Sequence, residues 1–453
     1  MMEDFAMASN LPERVSFEPA RGKHILIALS GGADSVALLM LMARAREKYA
    51  MRVTAAHLNH MIRGSDADGD QCFCEELCDH ENVPLITEHI DVLRIARETG
   101  RGLETAARDA RYGFLYECAK RAGADLIALA HHADDQAETV LMHLLRGAGS
   151  DGLSGMAERS GMLYRPLLSV RKRDLEAYLT GCGAVWREDA TNKIADTPRN
   201  ALRLNVMPEI EKSYPSAAEA ICRCAKTIGI ESALLGRLTD QFLGTHLQRG
   251  AYGQRLVFSD FPEEAILRRA LKRLLGQSAA AARIDAVANL CRARRGRTDI
   301  GGTRYALRTP NALYFLDRNR APVEPALLNL CGATELPAFC RIYAECGEFE
   351  IDRTDPLCEV LDADVLSGAA VRTRQDGDRF HPLGAPGDML LSDFFTNRGV
   401  DLPIRDVTPL IAAGSRVFWV CGMMPSEEAR ITDTTRRRVR LTLNYIADDP
   451  AEV

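Results

Sequence analysis

Between His24 and Arg187 short apolar runs alternate with helix-periodic segments, and this alternation restricts the fold more than anything else in the chain. The strand candidates are His24–Leu29, Arg52–Leu58, Pro84–Ile90, Asp125–Ala130 and Ala184–Arg187. Helical patterns occupy 34–48, 66–80, 104–122, 134–146 and 171–181. The order predicts an α/β domain, a parallel sheet with helices on both faces. In such sheets a ligand sits beyond the carboxyl ends of the strands. Ser30–Ser35, His57–Gly64 and His131–Glu138 each come directly after a predicted strand.

The first of these reads Ser30-Gly31-Gly32-Ala33-Asp34-Ser35, and an apolar-periodic helix follows at once. Strand, glycine turn and helix start form an anion cradle. Glycines let the backbone approach an oxyanion, and the helix start offers unpaired N–H groups and a positive dipole end. The serine hydroxyls add donors. No lysine closes the loop as in the usual phosphate loop; an aspartate stands there. A carboxylate beside phosphates needs a cation between them, so Asp34 suggests bound Mg²⁺. The plain alternative is a tight turn with a capping serine.

The third segment, His131-His132-Ala133-Asp134-Asp135-Gln136-Ala137-Glu138, opens a helix. Asp134 and Glu138 are four apart and are expected to share a face, with Asp135 at its edge. The acids would hold a metal or a substrate ammonium group; the alternative is favourable charge at a helix start. The adjacent histidines converge poorly on one zinc ion. His57, Asn59 and Arg63 suit a base or ribose, or simply form a polar loop. Arg108 and Arg111, three apart, would reach phosphates. The glycine-rich stretch 146–156 is a candidate mobile loop. Glu188–Asn192 and Arg199–Arg203 close the domain with acids and arginines.

A length of 453 residues suits two or three domains. No apolar stretch reaches transmembrane length, and the polar start is not expected to be a signal peptide. The 13 cysteines contain no Cys-x-x-Cys pair, which disfavours zinc and iron–sulfur sites and fits free thiols in a reducing cytoplasm. Net charge is −6, so any polyanion must meet a local patch. Between Ala265 and Arg297 nine basic residues, among them Arg268, Arg269, Lys272 and Arg273, face one acid, Asp285. A second basic run is Arg436–Arg438 with Arg440. Solvated helix faces are the alternative.

Residues 1 to about 20 look like a ragged leader. Residues 1–215 are read as the catalytic α/β domain and 216–330 as a mainly helical domain with short strand-like pieces, Tyr305–Leu307 and Leu313–Leu316. Residues 331–453 are read as a small α+β domain with strands at Glu348–Ile351, Val371–Arg374, Arg416–Cys421 and Val439–Leu443, and one helix within 389–399.

Ser30–Ser35 resembles the SGGxDS loop of the ATP pyrophosphatase superfamily. HLNHMIRG, GLETAARDARY, ALAHHADDQAETVLMHLLRGAGSDGLSGM, RPLL (165–168), EDATN and RNALR resemble, in order and spacing, the tRNA(Ile)-lysidine synthetases. FPEEAILRRALKRLL resembles that family's second domain, and Gln375–Phe380, Leu391–Phe395 and Arg405–Leu410 its third. Met389-Leu390-Leu391-Ser392 departs from the family, which often carries lysines there.

The resemblance implies an adenine nucleotide alpha hydrolase-like fold and a two-step reaction. ATP adenylates C2–O of the wobble cytidine in tRNA(Ile) with anticodon CAU, and free L-lysine then displaces AMP. It implies Ser30, Gly31, Gly32, Ala33, Asp34 and Ser35 at ATP, Asp34 at Mg²⁺, and Arg111 at the α-phosphate. Asp134, Asp135 and Glu138 would receive the lysine cation, with one carboxylate, His131 or His132 moving a proton. Arg199, Arg203, Arg268, Arg269, Lys272 and Arg273 would contact tRNA. A second copy of the chain is kept as a partner; no membrane is. The rival readings are a tRNA 2-thiolating enzyme, which would need catalytic cysteines, and a non-catalytic nucleotide- or tRNA-binding protein.

Overall fold

The computed structural model describes residues 11–61, 65–187, 197–257, 262–276, 278–319, 323–337, 339–350 and 354–446. The chain divides into two compact units, Met1–Leu234 and Leu235–Val453. The boundary falls inside one long helix, Ala217–His246. Among the described residues no helix is long and apolar enough to cross a membrane.

The first unit is built on six strands: β1 (His24–Ala28), β2 (Arg52–Asn59), β3 (Leu85–His89), β4 (Leu126–Ala128), β5 (Arg159–Ser160) and β6 (Leu163–Tyr164). Their order is β3-β2-β1-β4-β6-β5, and every neighbour is parallel except the β5 edge. Alternation along β1 sends Ile25 and Ile27 into one core and Leu26 into the other. The first core is filled by helix α1 (Ala33–Ala45), whose Val36–Ala43 are all buried, and the second by α2 (Leu103–Ala122) through Phe114, Leu115, Cys118 and Ala119. Both sheet faces are therefore covered, as the near-continuous apolar strands require.

Several details differ from expectation. Residues 11–20 are not a ragged leader: Leu11, Val15, Phe17 and Ala20 are buried in the first core. Among the described residues Ala184–Arg187 joins no ladder; the Arg187 N–H ties it to the Gly31 carbonyl at 2.9 Å. The sheet edge is instead the β5–β6 hairpin, whose two-residue strands carry no readable alternation. Val92–Thr99 is a further helix, capped by Asp91. The Glu188–Asn192 motif and Arg63 lie outside the described residues.

The second unit starts with a five-stranded antiparallel sheet formed by residues 247–317. Two helices, Glu264–Leu275 and Ala281–Arg292, cover it through Leu267, Leu271, Val287 and Cys291. The expected helices are thus joined by more strand than the sequence suggested. Two further sheets of seven and four strands follow, packed around a fully buried Trp419. Glu348–Glu350 is not a strand; the strand there ends at Cys346, and residue 351 is not described.

The Gln375–Phe380 motif has a structural explanation. Asp378 accepts two bonds from Arg372, at 2.7 and 2.9 Å, and one from the Gln375 N–H at 2.8 Å. Arg372 also donates to the carbonyls of Thr373 and Gly414. Both side chains are buried, and each charge is met by a forked partner and further hydrogen bonds. Removing one partner strands the other. Asp378→Ala is expected to lower stability by about 3–5 kcal/mol, whereas Arg372→Met with Asp378→Leu should recover most of the loss. Urea denaturation of the full chain measures both; an Asp378→Ala midpoint equal to wild type would remove the pair from the fold's supports.

Candidate active site at the strand switch

The chain leaves β1 towards β2 and β3 on one side and returns to β4 on the other. The loops after β1 and β4 therefore diverge, and a crevice opens between their helix starts. The loop after β1 turns at Gly31, with φ of +84°, a value that favours glycine. A Cβ there would only touch Cys74 Sγ and Phe73, at 3.4 and 3.5 Å, so the positive φ and not space is what asks for glycine. Ser35 Oγ donates to the Gly32 carbonyl at 3.0 Å and accepts from the Ser30 N–H at 3.2 Å. The Ser35 hydroxyl thus braces the loop from below rather than adding a donor to its mouth. The first N–H groups of α1 have no intrahelical acceptor and are the donors that remain.

Asp34 opens α1, and its Oδ1 is buried without a hydrogen-bond partner. Its Oδ2 lies 3.6 Å from His132 Nε2. His132 is the N-cap of α3 (Ala133–Leu145), an unusual cap. Its ring is 3.5 Å from Asp134 and 3.4 Å from Asp135 as well. Burial alone would push the imidazole pKa down, but its bonds to Asp134 and Asp34 and the Asp135 charge outweigh burial and raise it to about 10. Nδ1 lies 3.5 Å from Asp134 and accepts from the Asp135 N–H at 3.4 Å, and the His132 N–H returns to Asp135 at 3.2 Å, which closes a capping box. His131 behaves in the opposite way. Burial lowers its pKa, Asp135 pulls the other way, the charges of Arg165, Arg199 and Arg111 add to the lowering, and the value falls to about 4. Adjacent histidines are thus held in different protonation states.

The three acids divide differently from the helical-face expectation. Asp135 and Glu138 sit together on two arginines: Arg199 donates to them at 3.0 and 2.9 Å, and Arg203 at 2.9 and 2.6 Å. Asp134 turns away to Arg171 and to the Lys172 N–H, at 2.9 and 2.8 Å. Buried Arg171 also pairs with Glu211 and Glu219, at 2.7 and 2.8 Å. Sequence spacing did not reveal this hub, because its partners lie tens of residues apart. Arg199 and Arg203 lie in one helical run, 198–213, started by Thr197 and Pro198. Within it Leu202–Val206 is a π-turn, a feature frequent at functional sites.

Other expected site residues are placed as follows. Arg111 is exposed on α2, with Arg108 and Arg199 as like-charged neighbours. His57 is buried below the glycine loop, 3.0 Å from the Leu29 carbonyl, and Asn59 is taken up by Asp68 and the Met61 N–H. Neither is free to read a base. The 146–156 stretch is pinned by Gln136, whose amide bonds both the N–H and the carbonyl of Met156. In the second unit Arg268 is paired with Glu264 and Asp285, and Arg273 with Asp240. Arg269 and Lys272 share that helix. Exposed pairs of this kind are weak and exchange readily with phosphates.

Comparison with known proteins adds two family matches and a set of relatives. The model of the PP-loop domain matches residues 7–210, and that of the TilS substrate C-terminal domain matches 369–441. The tRNA(Ile)-lysidine synthase of Geobacter sulfurreducens is 33% identical over 450 residues, covering 94% of this chain and 93% of that protein. The enzyme of the same name from Parabacteroides distasonis is 31% identical, covering 91% and 94%. That of Thermus thermophilus is 33% identical, covering 90% and 71%.

Proposed function

The chain belongs to the tRNA(Ile)-lysidine synthase family, and we propose that it joins lysine to the wobble cytidine of tRNA(Ile) in the crevice between β1 and β4. It is an ATP-dependent ligase that forms a carbon–nitrogen bond on tRNA. The observation that carries the reading is the meeting of two motifs. The cradle after β1 and the charged helix start after β4 approach through His132, within 3.6 Å of Asp34 and 3.4 Å of Asp135. A nucleotide on one loop is thereby set against a cation-selective group on the other.

The free backbone N–H groups at the start of α1, Ala33 to Ser35, bind the triphosphate, and Arg111 neutralises charge building at the α-phosphate. Asp34 is suited to Mg²⁺: its buried Oδ1 has no protein partner, and this ion usually takes one or two carboxylates with substrate phosphates. Bound there, Mg²⁺ would offset phosphate charge. In the second step the lysine ε-ammonium loses a proton, its nitrogen bonds to C2, and the C2–O bond to AMP breaks. Neutral His131 has a free ring nitrogen through which that proton can pass, whereas His132, held charged by three carboxylates, has none; a carboxylate of the acid cluster is the other acceptor. Asp135 and Glu138 receive the lysine cation by exchange with Arg199 and Arg203, which then turn to the tRNA backbone.

Arg268, Arg269, Lys272 and Arg273 supply further tRNA contacts, within a division of labour in which 1–215 catalyses and 216–330 and 331–453 grip tRNA. The working compartment is the cytoplasm, and a homodimer is the assembly to test. The thiolating alternative finds no support in the thiols nearest the cradle. Burial pushes both Cys74 and Cys78 up to about 12, which keeps them unreactive.

Purified protein with ATP, labelled lysine and each CAU tRNA should transfer label to isoleucine tRNA alone, with AMP and pyrophosphate released. ATP turnover without label in tRNA would refute the reading. Asp34→Ala should slow pyrophosphate release by about 100-fold or more, a charge-stabilisation effect of the usual size. A wild-type rate would remove Asp34 from the phosphates. Arg203→Met should lower the KM for lysine by about 5-fold, as expected when one competing charged bond is lost, and weaken tRNA binding. A raised KM for lysine with unchanged tRNA affinity would rule out the exchange.

A further inference from the structure

Two of the chain's most buried arginines have their charge met by acids. Arg171 has Asp134, Glu211 and Glu219, and Arg372 has a forked Asp378. Arg165 is equally buried, at 8% exposure, and has none among the described residues. Its Nη1 donates to the Ala157 carbonyl at 2.9 Å, and its Nε has no hydrogen-bond partner. Among the described residues its only acceptor is a neutral carbonyl, so this buried guanidinium is an unbalanced charge, which folding alone does not select.

Its place in the sheet shows what would balance it. β6 lies parallel to β4, and the Leu129 N–H donates to the Tyr164 carbonyl at 2.8 Å. Arg165 is the next residue, so it leaves the carboxyl end of β6 alongside Leu129–His131, just before the start of α3. His131 Nδ1 is a second buried polar atom without a partner, and the Arg165, Arg199 and Arg111 charges all act on that ring. The glycine cradle follows β1, two strands away from β6, or about 10 Å at ordinary strand spacing. Arg165 therefore lies on the far side of the crevice from the cradle.

We propose that Arg165 is a substrate-anion residue: its guanidinium is kept clear of carboxylates to bind a phosphate oxyanion on the β6 side of the crevice that opens between β1 and β4. The inference rests on the reading that ATP and tRNA meet there. The oxyanion comes either from the nucleotide, at its α-phosphate end, or from the tRNA backbone beside the reacting cytidine. Both present a pair of non-bridging oxygens that a planar arginine fork matches.

A buried arginine that serves the fold and one reserved for a ligand respond oppositely to Arg165→Met. The full chain and this variant are compared by thermal melting without ligand. Binding titrations follow with the non-hydrolysable probe α,β-methylene-ATP plus Mg²⁺ and, separately, with a tRNA(Ile) transcript carrying CAU. We expect the ligand-free melting temperature to stay equal or rise, with affinity falling about 10-fold or more for one probe. Loss for the ATP analogue names the nucleotide as the source; loss for the transcript names the tRNA backbone. Arg165→Lys should lose less, since it keeps the charge without the fork. A lower melting temperature of the ligand-free methionine variant, including failure to fold, overturns the proposal by assigning Arg165 to the fold. Unchanged affinities for both probes overturn it as well. A wild-type protein that binds neither probe instead refutes the functional reading, and this proposal with it.

Discussion

β1 has parallel neighbours on both sides, and the chain reaches them by opposite routes, through β2 first and through β4 much later. Backbone hydrogen bonding fixes those strands about 5 Å apart, and their following loops cannot close over the gap. Two helices start at its rim, α1 and α3, each with its positive dipole end facing the same space. Such a place attracts anions. The side chains there then decide what else is admitted, and every placement discussed for nucleotide, amine and tRNA depends on this geometry.

Charge bookkeeping at the crevice is close to neutral, yet it is partitioned. His132 is surrounded by Asp34, Asp134 and Asp135, while Asp135 and Glu138 share Arg199 and Arg203. Each of these acids is near a cation, which explains how so many carboxylates can crowd one helix start. Burial raises the Asp135 pKa, but His132 and Arg199 pull it below the usual carboxylate value. Under the proposed exchange, an incoming cation would replace one already present and need not neutralise a bare acid.

The sequence made the strand–loop–helix units legible because their apolar periods differ and glycine marks the turn. That was enough to place Ser30–Ser35 and His131–Glu138 at strand ends. The β5–β6 hairpin was not legible, since two-residue strands carry no period. Ala184–Arg187 looked like a strand through composition alone, but among the described residues it finds no ladder partner. Pairings were the other gap. Asp135 and Arg203 are 68 residues apart, and nothing local to either announces the contact. Arg165 stood inside a recognisable RPLL segment, but only burial without a carboxylate gave it a reason to matter.

The π-turn at Leu202–Val206 has a further consequence. A π-turn accommodates one residue more than an α-turn, and each α-helical residue rotates the axis by about 100°. The turn therefore sets the phase between the segment bearing Arg199 and the helix Met207–Ser213 bearing Glu211, which meets Arg171. Deleting Leu204 there would remove no side chain from the site, since Arg203 stays. It would nevertheless put the two ion-pair groups out of phase, so that the run could serve Arg171 or the Asp135–Glu138 pair but not both. The length of this turn is thus as much a part of the site's specification as any residue in it.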